Sequence, residues 1–157
     1  MPQTLLLGQV TSLEQNSLFL AVRQAMKLAS DLEIHFCHTA PTGNNRFAWE
    51  ADIKETAKKY PSLSCEGLSA PEAIRRIIET PGQVGFMLCP PYAGGMLESA
   101  ASSLFPFPGL QYDSGMQEEI GVYAPRLSVD STDMPQPFAA AFAVADMLKN
   151  SLHMQRE

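Results

Sequence analysis

Three side chains that commonly bind metal ions lie close together in one short segment of the sequence. His35, Cys37 and His38 are nearly adjacent, and histidine and cysteine are the usual zinc ligands. On a β-strand, His35 and Cys37 point to one face and His38 points to the other. Structural zinc needs four ligands, and the sequence offers no matching second pair. We therefore expect buried or edge strand residues here, and no metal or other cofactor.

The segment CPPYAGG, Cys89–Gly95, is a second candidate site. It predicts a strand followed by a helix that begins at the two glycines. Amides at a helix start can hold a carboxylate or a phosphate, so the candidate ligand-binding residues here are Cys89, Tyr92, Gly94 and Gly95. The spacing is not GxGxxG and no P-loop lysine is present, and turn geometry alone explains the glycines equally well. No basic residue near Cys89 would activate its thiol.

The remaining polar residues do not form a catalytic pattern. The acidic pairs Glu118-Glu119 and Asp130 with Asp133 fall in predicted loops, where carboxylates are usually solvated. Serines are plentiful, but the sequence contains no GxSxG elbow for a nucleophile. The residues by themselves assemble no catalytic constellation.

Composition limits the classes of protein that need to be considered. A chain of 157 residues that is 45% hydrophobic predicts one soluble globular domain. A net charge of −6 opposes binding to nucleic acid or to anionic membranes, and no apolar run approaches the length of a membrane span. Three cysteines do not suggest a disulfide framework, and the first residues do not resemble a signal peptide. We expect a cytoplasmic protein.

Strand-like and helix-like segments alternate through the first part of the chain. A capping box at Thr11–Glu14 is predicted to start one helix, and Ser69 with Pro71 is predicted to start another. Gly85–Cys89 is an almost continuous apolar run, typical of a strand covered on both faces. The alternation predicts an α/β fold, a layered sheet that is partly parallel and mixed, with helices on both faces.

The second part of the chain is less regular. We predict a single domain over residues 1–157, with a regular α/β portion in 1–104 and a less regular portion in 105–157 that ends in a helix. Two short strands, 110–112 and 120–123, are predicted on either side of Ser114-Gly115. The last helix is predicted to start at Gln136-Pro137, because proline is favoured in the first turn of a helix.

Taken in order, these segments resemble the C-terminal half of the isocitrate/isopropylmalate dehydrogenase family, the metal-dependent β-decarboxylating dehydrogenases. The resemblance rests on a strand that enters His38–Pro41, on YAGGMLESAASS at Tyr92–Ser103, and on QPFAAAFAVADML at Gln136–Leu148. The last two segments are similar to the family's FGDILSD-x-AS and NP-x-A-x-ILSAAMML helices. The similarity runs in register along nearly the whole chain, and it implies part of the isopropylmalate dehydrogenase-like fold.

The resemblance also implies that the family's chemistry is missing. Thr39 stands at the position of the family's catalytic lysine, and a threonine cannot exchange that proton. Pro71, Gly95 and Ser99 stand where the family has metal-binding aspartates, so a divalent cation would keep no carboxylate ligand there. The family's nucleotide loop aligns with residues 123–128, which makes Tyr123 a further candidate ligand contact.

The family dimerises through helices that correspond to Tyr92–Leu104 and Pro71–Glu79. By that resemblance, the candidate interface residues are Met96, Leu97, Leu104 and Phe105. An exposed apolar patch usually marks an interface, although each of these side chains fits a monomer core equally well.

The sequence therefore predicts a catalytically inactive dehydrogenase-like domain that acts through protein contact. Its partner would be a second copy of the chain or a dehydrogenase-like partner chain. Two alternatives stay open. One is a truncated NAD(P)-dependent oxidoreductase of this family that is active only with a complementing subunit, and the other is a small-anion sensing domain.

Overall fold

The computed structural model describes residues 5–10, 12–104, 112–117, 120–125 and 137–150. They belong to two compact units, Met1–Leu104 and Phe105–Glu157. The boundary coincides with the sequence boundary between the regular and the less regular portions. That the whole chain forms a single domain stays a prediction.

The first unit is built on a four-stranded parallel sheet. Its strands are β1 (Leu6–Gln9), β2 (Phe36–Thr39), β3 (Cys65–Leu68) and β4 (Phe86–Cys89), in the spatial order β1-β4-β2-β3. Phe86 is the register partner of both Leu6 and Phe36, and Phe36 is also the partner of Cys65. The α/β prediction is confirmed. This sheet is parallel throughout, because the antiparallel pair of the chain forms a separate sheet.

Four helices follow the four strands, with a short 3-10 turn at Pro81–Gln83 before β4. They are α1 (Gln15–Asp31), α2 (Asn45–Ala57), α3 (Ala70–Glu79) and α4 (Pro91–Ser102). None of the helices in the described parts of the chain is long and apolar enough to span a bilayer.

The two faces of the sheet carry two separate clusters of buried side chains. On one face α1 and α2 pack over Phe36 and Phe86, whose rings stack with centroids 5.9 Å apart. On the other face α3 and α4 pack over Cys37 and Met87. Successive strand residues point to opposite faces, so β2 and β4, which are covered on both sides, are buried at every position. This confirms the prediction of helices on both faces.

The start of α3 agrees with the sequence, whereas the starts of α1 and α4 differ from it. α3 begins as predicted, with the Ser69 hydroxyl accepting from the Glu72 amide at 3.4 Å. α1 begins at Gln15 rather than inside the predicted capping box. Glu14 precedes it without a side-chain cap, and the Glu14 amide donates to the Ser12 hydroxyl at 3.1 Å. Thr11 lies outside the described residues.

α4 also begins earlier than predicted, at Pro91 instead of at Gly94. Proline is favoured in the first turn of a helix, because its fixed φ suits the helix and no partner for its nitrogen is needed there. Gly94 and Gly95 are therefore interior residues of α4 and not its start.

The second unit contains a β-hairpin and a helix. β5 (Tyr112–Gln117) and β6 (Ile120–Pro125) pair antiparallel, and α5 covers Pro137–Asn150. The predicted break at Ser114-Gly115 is wrong, because both residues lie inside β5, where Gly115 is the partner of Val122. The acidic residues at 118–119 and the segment 126–136 lie outside the described residues.

Candidate functional site

The carboxyl end of β2 carries the residue that the resemblance places at the catalytic lysine position. Thr39 is 2% exposed, and its hydroxyl donates to the sulfur of Met87 at 3.8 Å. A thioether is a weak acceptor, and Met87 belongs to the apolar cluster under α3 and α4. Thr39 is therefore a core residue of the sheet, and among the described residues its hydroxyl has no charged or strongly polar contact.

The carboxyl end of the neighbouring strand β4 holds a thiol that is equally buried. Cys89 is 1% exposed, and its sulfur donates to the Gly8 carbonyl at 3.3 Å. Burial raises the pKa of the Cys89 thiol to about 12. The thiolate that would be needed for nucleophilic chemistry is therefore not populated near neutral pH.

The start of α4 is closed by contacts from its own chain. The amides of Ala93 and Gly94 both donate to the Pro90 carbonyl, at 3.1 and 3.3 Å. The Gln9 side chain lies directly over Gly94, where a Cβ would collide with it, and its amide donates to the Pro91 carbonyl at 2.8 Å. These two amides already have an acceptor within the chain, and small-anion binding at this junction stays a prediction.

A second contact crosses the same edge of the sheet. The amide of Thr42, in the loop after β2, donates to the Tyr92 hydroxyl at 3.0 Å. In open parallel sheets ligands bind at the carboxyl ends of strands, where connections leave to opposite faces. Here α2 follows β2 on one face of the sheet, and α4 follows β4 on the other face. The Thr42–Tyr92 hydrogen bond links the chain segments that follow these two strands.

The residues at the family's metal positions do not fit a divalent cation. Pro71 lies in the first turn of α3. Gly95 and Ser99 are exposed on α4, where the Ser99 hydroxyl donates to the Gly95 carbonyl at 2.8 Å. Magnesium and manganese prefer carboxylate oxygens, and none of the three residues supplies one. The nearby Glu72 lies 3.9 Å from the Arg76 guanidinium instead.

The histidine and cysteine candidates separate as the strand geometry predicts. His35 and Cys37 lie on the α3 side with Glu66, and donor atoms of the three lie within 4.8 Å of one another. However, Arg76 binds both carboxylate oxygens of Glu66, at 2.6 and 3.0 Å. Burial raises the pKa of the Cys37 thiol to about 11. The group is a salt-bridge cluster, because a guanidinium already neutralises its only carboxylate.

Glu66 and Arg76 were missed in the sequence because both lie far along the chain from the segment His35–His38. Only the parallel register of β2 and β3, which pairs Cys37 with Glu66, brings them to the segment His35–His38. Side chains alternate along β3, so Cys65 and Gly67 point to one face and Glu66 points to the other. This alternation could have indicated the face on which Glu66 lies. The register itself is not readable from one sequence.

The predicted interface residues fall into two kinds. Met96 is 49% exposed on α4, whereas Leu97 is completely buried in the core of its own unit. Leu97 is therefore corrected from an interface candidate to a core residue. Leu104 packs partly buried against the same core. Phe105 lies outside the described residues, and Tyr123 is a residue of β6 in the second unit.

Two further exposed apolar side chains accompany Met96 on the α3–α4 pair. Tyr92 is 50% exposed on α4, one turn before Met96, and Ile78 is 49% exposed on α3. α3 and α4 pack against each other. Along α4, the exposed positions 92, 95, 96 and 99 fall on one side of the helix.

Comparison with known proteins shows distant similarity to dehydrogenases over part of the chain. The chain is 30% identical over 112 residues to a 3-isopropylmalate dehydrogenase from Colwellia psychrerythraea, covering 67% of this chain and 30% of that protein. It is 27% identical over 109 residues to a 3-isopropylmalate dehydrogenase from Vibrio cholerae, covering 66% of this chain and 30% of that protein. No protein-family profile matches the chain.

Solved structures show the same fold at lower identity. The β-decarboxylating dehydrogenase TK0280 from Thermococcus kodakarensis has a TM-score of 0.74 at 14% identity, over 90% of this chain and 44% of that one. Isocitrate dehydrogenase from Methylococcus capsulatus has a TM-score of 0.70 at 17% identity, over 87% of this chain and 42% of that one. The chain thus spans about 30% of the curated relatives and less than half of these structures.

Proposed function

We propose that this chain is a dehydrogenase-like domain that carries out no dehydrogenation and acts through protein contact, as a homodimer formed through the exposed side of α4 with α3. Its relationship to the β-decarboxylating dehydrogenases rests on the sequence similarity and the shared fold. The contact surface is defined here as Ile78, Tyr92, Gly95, Met96 and Ser99. The observation that carries the proposal is the set of half-exposed apolar side chains on this surface, Ile78, Tyr92 and Met96.

The chemistry of the first unit supports the absence of catalysis. Dehydrogenation of a hydroxy acid needs a group that exchanges a proton, and the lysine position is filled by buried Thr39. The metal positions hold a proline, a glycine and a serine, so the substrate hydroxyl would have no metal ion to polarise it. The side chains that replace charged groups at these positions are small or apolar, and the packing of the unit is retained around them.

The shape of the contact surface suits a second helix. Nothing lies within 4 Å of the place where a Cβ of Gly95 would stand, so a partner backbone could approach α4 closely there. Tyr92 and Met96 flank that position with large apolar side chains, which supply most of the energy of typical interfaces. In a symmetric dimer both copies use the same surface, so this one contact surface is sufficient to form the dimer.

Two measurements test the proposal together. Size-exclusion chromatography with light scattering, at a protein concentration of tens of micromolar, is expected to give twice the monomer mass. Assays with 3-isopropylmalate or isocitrate, NAD or NADP and Mg²⁺ are expected to give no turnover above the protein-free blank. A monomer at that concentration, or turnover by the chain alone, would contradict the proposal.

A complemented enzyme is the second candidate, because the similarity covers only about 30% of the length of the relatives. In that case the missing catalytic groups would come from a separate chain. Adding cell lysate that lacks this chain should then produce turnover that neither lysate nor chain gives alone. No such synergy is expected if the chain acts by contact only.

A further inference from the structure

A buried hydrogen bond joins α2 to β2 on the face of the sheet opposite the salt-bridge cluster. The indole nitrogen of Trp49 donates to Nδ1 of His38 at 3.1 Å. Trp49 is fully buried and His38 is 9% exposed. Since an indole N–H can only donate, Nδ1 must be unprotonated, and the imidazole that fits this packing is neutral with its proton on Nε2.

The imidazole is enclosed on its other side by the neighbouring strand. A Cβ on Gly67 of β3 would stand 3.1 Å from Cε1 of His38 and 3.2 Å from its Nε2. The Phe36 ring lies 6.4 Å away between centroids. A side chain at position 67 would crowd the ring and require it to shift by a few tenths of an ångström, so the glycine in β3 leaves room for the imidazole.

Few charges act on this ring within the described residues. On α2, the carboxylate of Glu50 favours the charged imidazole, but it is also bound to Arg46 at 2.7 Å. On β3, Glu66 is engaged on the opposite face by Arg76. The side chains that α1 and β4 contribute to the cluster on this face are apolar. Burial dominates over Glu50 and lowers the pKa of His38.

We propose that the His38–Trp49 hydrogen bond is an acid-sensitive latch that holds α2 on the sheet. When Nδ1 takes up a proton, it becomes a donor, so two N–H groups face each other and the bond is lost. Trp49 then loses its buried polar partner, and α2 loosens from the sheet. The loop between β2 and α2 also contacts α4 through Thr42 and Tyr92, so the latch adjoins the start of that helix.

The fluorescence of Trp49 tests the latch directly, because the chain contains a single tryptophan. As the pH falls below the ordinary histidine pKa of about 6.5, we expect its emission to move to longer wavelength in the unmodified protein while most far-UV circular dichroism is retained. His38→Asn keeps an acceptor oxygen near the place of Nδ1 and cannot titrate, so its emission should stay constant. His35→Asn, on the opposite face, is the matched control and should behave like the unmodified protein.

Proton NMR of the histidine rings gives a second readout. It does not require a His38 variant, so it can be used even if His38→Asn does not fold. The His38 ring of the unmodified protein should titrate below the ordinary value of about 6.5, and in Trp49→Phe, which has no N–H donor, its midpoint should move closer to that value. The latch is overturned if His38→Asn shifts its emission as the unmodified protein does. It is equally overturned if His38 titrates at or above its ordinary value in the unmodified protein.

Discussion

Arg76 of α3 binds both carboxylate oxygens of Glu66 of β3, at 2.6 and 3.0 Å. His35 approaches the same carboxylate, with its Nε2 3.3 Å from Oε2 of Glu66. A two-point contact of this kind fixes geometry as well as charge. In the described sheet β3 is an edge strand, so this pair ties the edge of the sheet to the helix that leaves it.

Replacing Arg76 by lysine should destabilise the protein by about 0.5–1 kcal/mol at neutral pH, because lysine cannot form the two-point contact and the pair is partly exposed. The Arg76 guanidinium holds the pKa of Glu66 below its usual range. The stabilisation is therefore complete above the usual pKa of a glutamate and is lost as the pH falls through the lowered value. Denaturant unfolding at several pH values would measure this loss.

Arg75→Lys provides the control for that series. Arg75 contacts Glu79 one helical turn away at 3.0 Å, and both side chains are more than half exposed. We expect its effect at neutral pH to be smaller than that of Arg76→Lys. Equal effects of the two substitutions at neutral pH would show that the Glu66 contact contributes no more than a surface pair.

Thr39 is expected to behave as a packing residue. Thr39→Val keeps the shape and removes a hydroxyl whose acceptor is a sulfur atom, so the free energy of unfolding should change by less than about 1 kcal/mol or rise slightly. Thr39→Lys restores the residue type at the family's lysine position, but it places an unpaired charge at a site that is 2% exposed.

The lysine variant should therefore lose about 3–5 kcal/mol of stability and gain no dehydrogenase turnover. Thermal unfolding monitored by circular dichroism measures the first effect, and the assay with 3-isopropylmalate and NAD measures the second. A stable Thr39→Lys protein with turnover would mean that the site is only one substitution away from catalysis.

The two adjacent glycines of α4 should respond in opposite directions to alanine. At a protein concentration low enough to keep the chain monomeric, Gly95→Ala adds a methyl group in open space and should stabilise the helix by about 0.5–1 kcal/mol. Gly94→Ala gains the same helix propensity but displaces Gln9, which then loses its hydrogen bond to the Pro91 carbonyl. Denaturant unfolding at one fixed protein concentration compares the two variants.

The double variant Gln9→Ala with Gly94→Ala identifies the cause. If the loss in Gly94→Ala comes from the collision with Gln9, the double variant should be more stable than the sum of the single effects predicts. Strict additivity would mean that the Gln9 side chain rearranges without cost.

The elements of this fold could be predicted to the extent that their signals are local. The Ser69 cap and the apolar run before Cys89 each lie within a few residues, and both predicted the elements that the structure contains. The start of α4 was misplaced because Pro91 and Gly94 are both plausible boundary signals, and in the structure Pro91 occupies the first turn.

Features of the candidate site that depend on strand register could not be predicted. The contacts of Glu66 with Arg76, and of His38 with Trp49, join residues on different elements. Periodicity assigns a side chain to a face of a strand, as it did for Cys37, but it does not show which residue of the next strand lies beside it. For the related reason that a helical apolar run does not show which of its sides meets the sheet, the core and interface alternatives for Leu97 could not be separated from the sequence.

Sedimentation velocity of a matched pair of variants tests the central claim most directly. Met96→Lys places a charge in the contact surface, and Leu20→Lys places the same charge at a residue of α1 that is 39% exposed. The unmodified protein and Leu20→Lys should sediment as dimers, whereas Met96→Lys should dissociate at least tenfold more readily. Dimers of equal stability in all three proteins, or an unmodified protein that is monomeric at tens of micromolar, would contradict the account.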